Sequence, residues 1–371
     1  MLKRLHLRNF TVFADAEFEF GEGLNVLVGT NGTGKTHVLK AGYAISYEVM
    51  NSIIKSREQE DNNIDDKKRK SKFMFDKLKK VFQPTPFQLN ELIRHKKYEH
   101  KIRFDLEKPL THIDFRIRCF GGLFVDTSFS FTPTSSIAPV YILPHEFDRI
   151  NGFVPPVFIP AKEALTMGWL PALYGRFDIP FDETYPDLLR LLSGPSLRQP
   201  EPIHIVEKLA QLIGGKVEEE GGHFYLAAPD QPRLEMNLVA EGMRKFATLY
   251  KLLANGTLTS ETTLFWDEPE ANLNPALLKE LAAVLTDLAQ AGFQIILATH
   301  SLFLMRELHI LAQQKKKPVH YFGLYASEEG DVRVERQDDL MQLQHITALD
   351  AELAQTFDFE AALDQDYAGD S

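Results

Sequence analysis

Residues 24–36 read Leu-Asn-Val-Leu-Val-Gly-Thr-Asn-Gly-Thr-Gly-Lys-Thr, and this stretch decides the fold. Its first five residues form an apolar run that predicts a fully buried strand. The next eight, Gly29–Thr36, match the pattern G-x-x-x-x-G-K-[ST] at every fixed position. From Thr36 to about residue 50 the sequence is typical of a helix. A buried strand, a glycine-rich turn and a helix in this order predict a loop that binds the phosphates of a nucleotide.

The residue types in this loop suit phosphate chemistry. Its glycines let the backbone turn inward, so that consecutive N–H groups face the phosphates. Lys35 is expected to reach the β- and γ-phosphates, and the hydroxyl of Thr36 is expected to bind Mg²⁺. The predicted nucleotide-binding residues of the loop are Gly29, Thr30, Asn31, Gly32, Thr33, Gly34, Lys35 and Thr36.

A second motif closes another apolar run. Leu264–Asp267 places a carboxylate at the end of a predicted parallel strand, and Glu268 follows it. A carboxylate in that position beside a phosphate loop can hold Mg²⁺ directly or through water. The adjacent Glu268 points in a different direction and can orient or deprotonate the attacking water. We therefore predict Thr36 and Asp267 as metal ligands and Glu268 as a catalytic residue; an ordinary polar strand end is the alternative.

The composition limits the class of protein. Of the 371 residues, 44% are hydrophobic and 25% are charged, which is typical of a globular chain with a sizeable core. The net charge of −11 argues against a generally basic surface for nucleic acid, although not against a local basic patch. A single cysteine, Cys119, excludes an intramolecular disulfide. Since no run of ~18 apolar residues and no signal-peptide pattern occur, we expect a soluble, cytoplasmic protein with no membrane partner.

Periodicity divides the rest of the chain. Alternation of polar and apolar residues predicts strands over 2–13 and 16–20 and an antiparallel meander over 101–106, 113–118 and 123–131. Residues 157–160 resemble a buried strand, 161–213 are helical in pattern, and 215–236 resemble a hairpin. Helices and buried strands then alternate, which predicts a parallel sheet with crossover helices. These last elements are 241–254, 263–267, 275–290, 293–299, 302–315 and 319–325.

The predicted fold class is therefore α/β: a P-loop NTPase with an antiparallel β subdomain, a helical lobe and a basic helical insertion. The tail, 350–371, has seven acidic residues and no basic ones, and we expect a weak helix there. The predicted parts are the N-terminal section with the phosphate loop (1–50), the insertion (51–101), the antiparallel β region (102–160), the helical lobe and hairpin (161–235), the remainder of the NTPase lobe (236–349) and the acidic tail (350–371).

The insertion is basic although the whole chain is acidic. Residues 55–101 contain 14 Lys and Arg against 8 Asp and Glu, including the run Lys67–Lys70 and the cluster Lys77, Lys79 and Lys80. Such a segment, Lys67–Lys80 above all, can bind a nucleic-acid backbone. A solvated helix face and a docking site for a protein are the other interpretations, and all three stay open. Sustained heptads are lacking, which disfavours a long coiled coil.

Three motifs together resemble the head of an ABC-type ATPase: Gly29–Thr36, Asp267–Pro275 and Ala298–Ser301. More narrowly, the chain resembles the RecF, SMC and OLD-like ATPases grouped as AAA-15 or AAA-21, many of which are bacterial antiphage proteins. The resemblance covers residues 1–50 and 236–305 well and the middle in outline. It is specific for the ATPase class and unspecific for the biological task.

The resemblance implies ATP and Mg²⁺ as cofactors and assigns further residues. His300 lies where a switch histidine contacts the γ-phosphate, as a third catalytic residue beside Glu268 and Lys35. Gly242 lies within a partial match to the ABC signature, where it would face the nucleotide of a partner subunit; an ordinary helix cap is the alternative. Arg8 and Asn9 lie where such heads touch base and ribose, or simply on an edge strand.

For the biological role, the resemblance implies a homodimer or higher oligomer that closes around ATP. The main hypothesis is a sensor or regulator of a separate effector, a nuclease or toxin, in antiphage defence. The alternative is a DNA-repair or chromosome-structuring ATPase that binds DNA directly. A transport ATPase, a scaffold with negligible turnover and a small-molecule kinase fit less well.

Overall fold

The computed structural model describes residues 1–58, 76–83, 92, 94, 100–106, 111–120, 123–133, 155–174, 176–177, 179–328, 330–345 and 355. For residues 49–58 and for the strands between 100 and 133, the description covers the backbone alone. The run Lys67–Lys70 and, apart from Gln355, the acidic tail lie outside the described residues.

The chain alternates strands and helices throughout the described ranges. The strands are β1 (Leu2–Phe10), β2 (Phe13–Glu19), β3 (Leu24–Gly29), β4 (His100–Leu106), β5 (Thr111–Phe120), β6 (Leu123–Pro133), β7 (Val157–Ile159), β8 (Lys216–Glu220), β9 (His223–Ala227), β10 (Leu234–Glu235), β11 (Thr263–Asp267), β12 (Gln294–Thr299), β13 (Val319–Ala326) and β14 (Val332–Gln337). The helices are α1 (Lys35–Glu58), α2 (described for 76–82), α3 (Leu170–Leu173), α4 (Thr184–Leu192), α5 (Ile203–Ile213), α6 (Glu241–Ala254), α7 (Pro275–Gln290) and α8 (Leu302–Lys315).

A six-stranded, mostly parallel sheet organises the chain. Its strand order is β14-β13-β3-β12-β11-β7, and only the edge strand β14 runs antiparallel to its neighbour. Strand β12 therefore separates β3 from β11 and pairs with both. Because these strands are parallel, their carboxyl ends meet at one edge of the sheet, which is where ligands bind in open α/β sheets.

Alternate residues of this sheet enter two different cores. Trp266 of β11 and Leu297 of β12 pack in one cluster with helices α4–α8, whereas Phe265 and Ile296 pack in a second cluster with α1 and the β1–β2 hairpin. Successive side chains of any strand point to opposite faces. Because both faces of this sheet are covered, β3, β11 and β12 are apolar at nearly every position, which is the pattern seen in the sequence.

Two smaller antiparallel sheets flank the central one. Strands β4–β6 extend the N-terminal hairpin into a five-stranded sheet with the order β2-β1-β4-β5-β6, and β8–β10 form a three-stranded sheet. The predicted meander, the hairpin at 215–236 and the strand and helix alternation from 241 to 325 are confirmed, as is the α/β fold class. No helix in the described ranges is long and apolar enough to cross a membrane.

Two element boundaries and one additional strand differ from the prediction. Helix α1 runs to Glu58, past the predicted division at 50/51 and into the stretch assigned to the insertion. The single strand predicted over 2–13 is broken by a turn at Thr11 and Val12, because Asn9 and Thr11 adopt positive φ angles of 51° and 48°. Strand β14 was not predicted, since it is a largely polar edge strand.

Helix α2, in the middle of the predicted insertion, joins it to the rest of the fold through a buried ion cluster. The ammonium of Lys77 lies 2.5 Å from Asp187 and 3.0 Å from Glu183, both on or beside α4. It also lies 3.6 Å from the ring centre of Tyr47 on α1. Burial alone would lower the pKa of Lys77, but the two carboxylates raise it above its usual value.

This cluster changes the interpretation of the basic insertion. Lys77 is buried and Lys80 pairs with Glu183 at 3.1 Å, so these two lysines neutralise carboxylates of the same chain. They therefore add little to a face that would bind phosphates. Lys79 on α2 is partly exposed, and Lys67–Lys70 lie outside the described ranges, so their part in a basic face stays a prediction.

The buried cluster predicts a large loss of stability on Lys77→Met. Removal of the ammonium leaves the buried Asp187 and Glu183 with only the exposed Arg190 and Lys80 as cationic partners, which costs roughly 3–5 kcal/mol of unfolding free energy. Lys80→Met is the matched control, because its side chain is 54% exposed and pairs with the same Glu183. We expect that variant to lose at most about 1 kcal/mol. Urea unfolding measures both; equal losses would contradict the assignment.

Candidate functional site

The phosphate loop joins β3 to α1 by a turn that requires glycine. Gly32 and Gly34 adopt φ angles of 84° and 88°, in the left-handed region. A Cβ atom on Gly34 would lie 2.6 Å from Val12, and one on Gly29 would lie 2.5 Å from the carbonyl oxygen of Leu324. The loop is therefore packed from both sides, against the β1–β2 turn and against β13, and its curvature is fixed by sequence.

Lys35 lies inside the curve of the loop. Its Nζ donates to the carbonyl oxygens of Gly29 at 2.6 Å and Thr30 at 3.0 Å, and the residue is buried. Burial lowers its pKa, while the negative charges of Glu268 and Asp267 oppose this shift. A lysine in the first turn of a helix that follows a glycine-rich turn suits an anionic ligand, because the helix N-terminus adds positive potential. The role of Lys35 in phosphate binding stays a prediction.

The predicted metal ligands are in direct contact. The hydroxyl of Thr36, in the first turn of α1, donates to Asp267 Oδ2 at 2.9 Å and Oδ1 at 3.1 Å. Burial raises the pKa of Asp267 to about 6, against the lowering effect of the Thr36 hydrogen bond. In the described ranges, no group of three or more His, Cys, Asp or Glu side chains is arranged to hold a metal ion.

A hydroxyl and a carboxylate fit Mg²⁺ at a phosphate site. Mg²⁺ in such sites takes one or two protein ligands and completes its shell with phosphate oxygens and water. Thr36 and Asp267 supply two such oxygens beside the phosphate loop, so the residues fit the ion together with a nucleotide.

Glu268 and His300 meet at the ends of neighbouring strands. Glu268 follows β11 and donates its amide N–H to the carbonyl oxygen of Ala298 on β12 at 2.9 Å. Its carboxylate lies 3.7 Å from Nδ1 of His300, and both side chains are partly exposed, by 35% and 53%. The sequence prediction that these two residues share one site agrees with this geometry, and their partial exposure leaves them accessible to a ligand.

Glu270 holds the His300 segment and was not assigned a role from the sequence. Its Oε1 accepts hydrogen bonds from the Thr299 hydroxyl at 2.6 Å and from the His300 amide at 3.0 Å. Nδ1 of His300 lies 3.6 Å from the same oxygen. The sequence contained a signal, an acidic residue two positions after Glu268, but nothing in it indicated that the side chain is buried against β12.

The first turn of α6 packs on the loop that follows β11. A Cβ atom on Gly242 would lie 3.0 Å from the carbonyl oxygen of Asn272, and Asn272 Nδ2 donates to Glu241 at 2.8 Å. Asn274 caps α7 by accepting from the Leu277 amide at 2.9 Å. Gly242 thus has a packing role within its own chain, and its contact with the nucleotide of a partner stays a prediction.

Arg8 and Asn9 lie on β1, whose turn packs against the phosphate loop. The guanidinium of Arg8 is exposed and lies 3.7 Å from Asp15, while Asn9 is buried. Their predicted contact with base and ribose stays a prediction.

The raised pKa of Asp267 predicts a pH-dependent stability. Because its folded-state pKa is about 6 and its ordinary value is 3.8, the folded chain binds this proton more tightly than the unfolded chain. Stability is therefore lost as the pH rises through this range. Relative to Asp267→Asn, the wild-type chain should lose roughly 1.4 kcal/mol of unfolding free energy between pH 5 and pH 7.5 in Mg²⁺-free buffer.

Urea unfolding of both proteins at a series of pH values measures this difference. Asp287→Asn is the control: burial raises the pKa of Asp287, but hydrogen bonds from Lys315 and Lys208 outweigh it and hold the pKa below 3.8. Its contribution is constant over the same range, because both states are ionised there. Asp287→Asn, which keeps Asp267, should therefore lose as much as the wild-type chain. A wild-type loss no larger than that of Asp267→Asn would show that the Asp267 carboxyl is not perturbed.

Two protein families match the halves of this site. The family described as "AAA domain, putative AbiEii toxin, Type IV TA system" matches residues 172–306, and a family described as "AAA domain" matches residues 4–111. The second range contains the phosphate loop, and the first contains Gly242, Asp267, Glu268 and His300.

Individual relatives match shorter segments. The DNA replication and repair protein RecF of Pediococcus pentosaceus is 34% identical over 89 residues, 24% of this chain and 22% of that protein. The DNA double-strand break repair Rad50 ATPase of Methanopyrus kandleri is 51% identical over 41 residues, 11% of this chain and 5% of that protein. The chain thus spans less than a quarter of the length of these curated relatives.

Among solved structures, the SMC head domain from Thermotoga maritima superimposes with a TM-score of 0.46 at 13% identity, covering 91% of this chain and 98% of that one. The two family matches and the RecF and Rad50 segments show that this chain is similar to AAA domains over the stretches that carry the paired Thr36 and Asp267.

Proposed function

We propose that this chain is an ATPase that works as a nucleotide-driven switch. It binds Mg²⁺-ATP, pairs with a second copy across the nucleotide and hydrolyses ATP to separate the pair. The observation that carries the proposal is the convergence of three strand ends. Thr36 lies 2.9 Å from Asp267, and His300 lies 3.7 Å from Glu268, at the same edge of the central sheet. The arrangement places two candidate metal ligands, Thr36 and Asp267, and a candidate base, Glu268, beside one phosphate loop.

Each residue has a defined part in the proposed reaction. Lys35 and the loop N–H groups bind the β- and γ-phosphates and offset their charge. Thr36 and Asp267 would hold Mg²⁺, which would supply positive charge beside the phosphate oxygens when bound. Glu268 orients the attacking water and accepts its proton. His300 donates a hydrogen bond toward the γ-phosphate, which Glu270 supports by fixing the strand end.

The proposed pairing uses a surface formed by the first turn of α6 and the loop Asn272–Asn274. Gly242 and Asn272 pack together there, so the two segments form one unit. Leu238, just before α6, is 73% exposed and adds apolar area at this surface. A helix N-terminus presents N–H groups and positive potential, which suits the terminal phosphate of a nucleotide bound to a partner subunit.

For the biological role, we propose a regulator of a separate effector, a nuclease or toxin, in defence against phage. This role extends the resemblance of the sequence motifs to antiphage ATPases; the family model over residues 172–306 names the AbiEii toxin and a Type IV TA system. The second candidate is direct action on DNA in repair or chromosome organisation, which the RecF and Rad50 segments support. The two candidates share the ATPase and differ in what it acts on.

Glu268→Gln tests the switch. Loss of the base should lower the rate of phosphate release by about 10²–10⁴-fold and leave ATP binding intact, because the amide cannot accept the proton. With ATP and Mg²⁺, the variant should accumulate as a pair in mass photometry, whereas the wild-type chain should not. Lys35→Ala, which removes a phosphate contact, is the control that should lose both binding and pairing.

Unchanged phosphate release by Glu268→Gln would refute the assigned base. A variant that stays monomeric with saturating ATP would refute the pairing. For the defence role, host cells carrying the natural locus with either the wild-type gene or Glu268→Gln are challenged with phage. Protection should require the wild-type gene, and equal plating of phage on both strains and on empty cells would exclude this role.

The DNA-binding candidate depends on the basic insertion. If it is correct, the double change Lys67→Gln and Lys68→Gln should weaken binding of duplex DNA and lower its salt dependence, because each lost phosphate contact removes about 0.9 from the slope of log K against log salt. Lys316→Gln with Lys317→Gln removes the same charge from the end of α8 and is the matched control. Equal DNA binding by both variants and the wild-type chain, measured by fluorescence anisotropy, would rule this candidate out.

A further inference from the structure

Lys245, on α6, is a buried cation without an assigned role. The residue is 4% exposed, and an ammonium group is costly to bury unless it is hydrogen-bonded. Its Nζ donates to the main-chain carbonyl oxygen of Glu268 at 2.8 Å and to that of Pro269 at 3.4 Å. Burial lowers its pKa, and the charges of Glu270 and Glu241 oppose this shift. The side chain thus spans from α6 to the loop that carries Glu268.

The peptide that receives this hydrogen bond is strained. Glu268 adopts a φ of 46°, in the left-handed region that a residue with a side chain rarely occupies. Such a conformation costs of order 1–3 kcal/mol and persists when the surroundings hold it in place. The contacts of Glu268 have this character: its N–H donates to Ala298 at 2.9 Å, and its carbonyl oxygen accepts from Ala271 N at 3.1 Å as well as from Lys245.

The direction of the Glu268 side chain follows from this backbone conformation. With β12 holding the amide and Lys245 holding the carbonyl, the Cα–Cβ bond has one orientation, which brings the carboxylate to within 3.7 Å of His300. Without Lys245, the Ala271 N–H alone holds this carbonyl, so φ can relax toward an ordinary value and the carboxylate can turn away from His300. A displacement of about 1 Å at a reacting group is enough to cost roughly 10²-fold in rate.

We propose that Lys245 is a positioning residue for ATP hydrolysis, which fixes the Glu268 peptide and thereby links the signature helix α6 to the hydrolytic carboxylate. This inference rests on the proposed function, in which Glu268 is the base. Lys245 follows Gly242 within one turn of the helix, and Gly242 packs on the same loop at Asn272. The contact of a partner with the start of α6 would therefore act on Glu268 through the lysine.

Lys245→Met tests the proposal, because it keeps the length and apolar contacts of the side chain and removes the ammonium. Lys251→Met is the matched control: Lys251 lies on the same helix, is 3% exposed, and has a pKa that burial lowers against the charges of Glu219 and Glu218. Among the hydrogen bonds of the described residues, none joins Lys251 to the loop that carries Glu268. Both variants therefore remove a buried ammonium from α6, but only Lys245→Met removes a hydrogen bond from the Glu268 carbonyl.

We expect Lys245→Met to lower kcat for ATP by roughly 10²-fold with an unchanged KM and an unchanged Kd for ATP. Lys251→Met should keep the wild-type kcat. In nucleotide-free protein, amide hydrogen exchange of the segment 266–273 should accelerate in Lys245→Met and not in Lys251→Met. Lys245→Gln, which keeps an N–H donor, should give intermediate values of kcat and exchange and serves if the methionine variant does not fold.

Several results would overturn the proposal. One is a wild-type kcat in Lys245→Met; another is an equal fall of kcat in the Lys245 and Lys251 variants, which would mark a purely structural role. Unchanged hydrogen exchange over 266–273 would also overturn it. Failure of the proposed function looks different: the wild-type chain itself would not release phosphate from ATP, and Glu268→Gln would behave as the wild-type chain does.

Discussion

The parallel pairing of β12 with both β3 and β11 is the constraint on which the site depends. This pairing brings together residues that are 231 positions apart in the sequence, Thr36 and Asp267, at hydrogen-bond distance. All six residues of β12 are buried, so the hydrophobic effect and the strand hydrogen bonds fix the relative height of the phosphate loop and the acidic strand end. A shift of one residue in either register would turn Asp267 away from Thr36, because adjacent residues of a strand face opposite sides.

The strand ends concentrate negative charge, and two lysines offset it. Asp267, Glu268 and Glu270 lie within four consecutive positions, and burial raises the pKa of Asp267 to about 6. Lys35 approaches from the phosphate loop and Lys245 from α6, and burial lowers the pKa of both while the carboxylates oppose the shift. Each buried charge is thus tolerated because the opposite charge is near. Two different elements supply the cations, so the electrostatic balance couples them to the same loop.

Short-range patterns predicted the parts of the site that depend on neighbouring residues. The phosphate loop was recognisable because glycine spacing and Lys35-Thr36 are local requirements, and the buried strands because both of their faces are apolar. The roles of Lys77 and Lys245 were not predictable in this way. Lys77 counted as one residue of a basic run, yet its partner Asp187 lies 110 positions away. The φ of 46° at Glu268 likewise depends on contacts with β12 and α6, which no residue type nearby encodes.

Helix α1 connects the phosphate site to the insertion by rigid structure. It begins at Lys35 inside the loop, and Lys40, one turn further, pairs with Asp182 at 2.8 Å just before α4. Tyr43, another turn on, donates to Asp187 at 2.8 Å, and Asp187 also holds Lys77 of α2. Separation of the buried Lys77 from its carboxylates would cost several kcal/mol. The cluster therefore holds α1, which begins inside the phosphate loop, against α2 in the middle of the basic insertion and against α4.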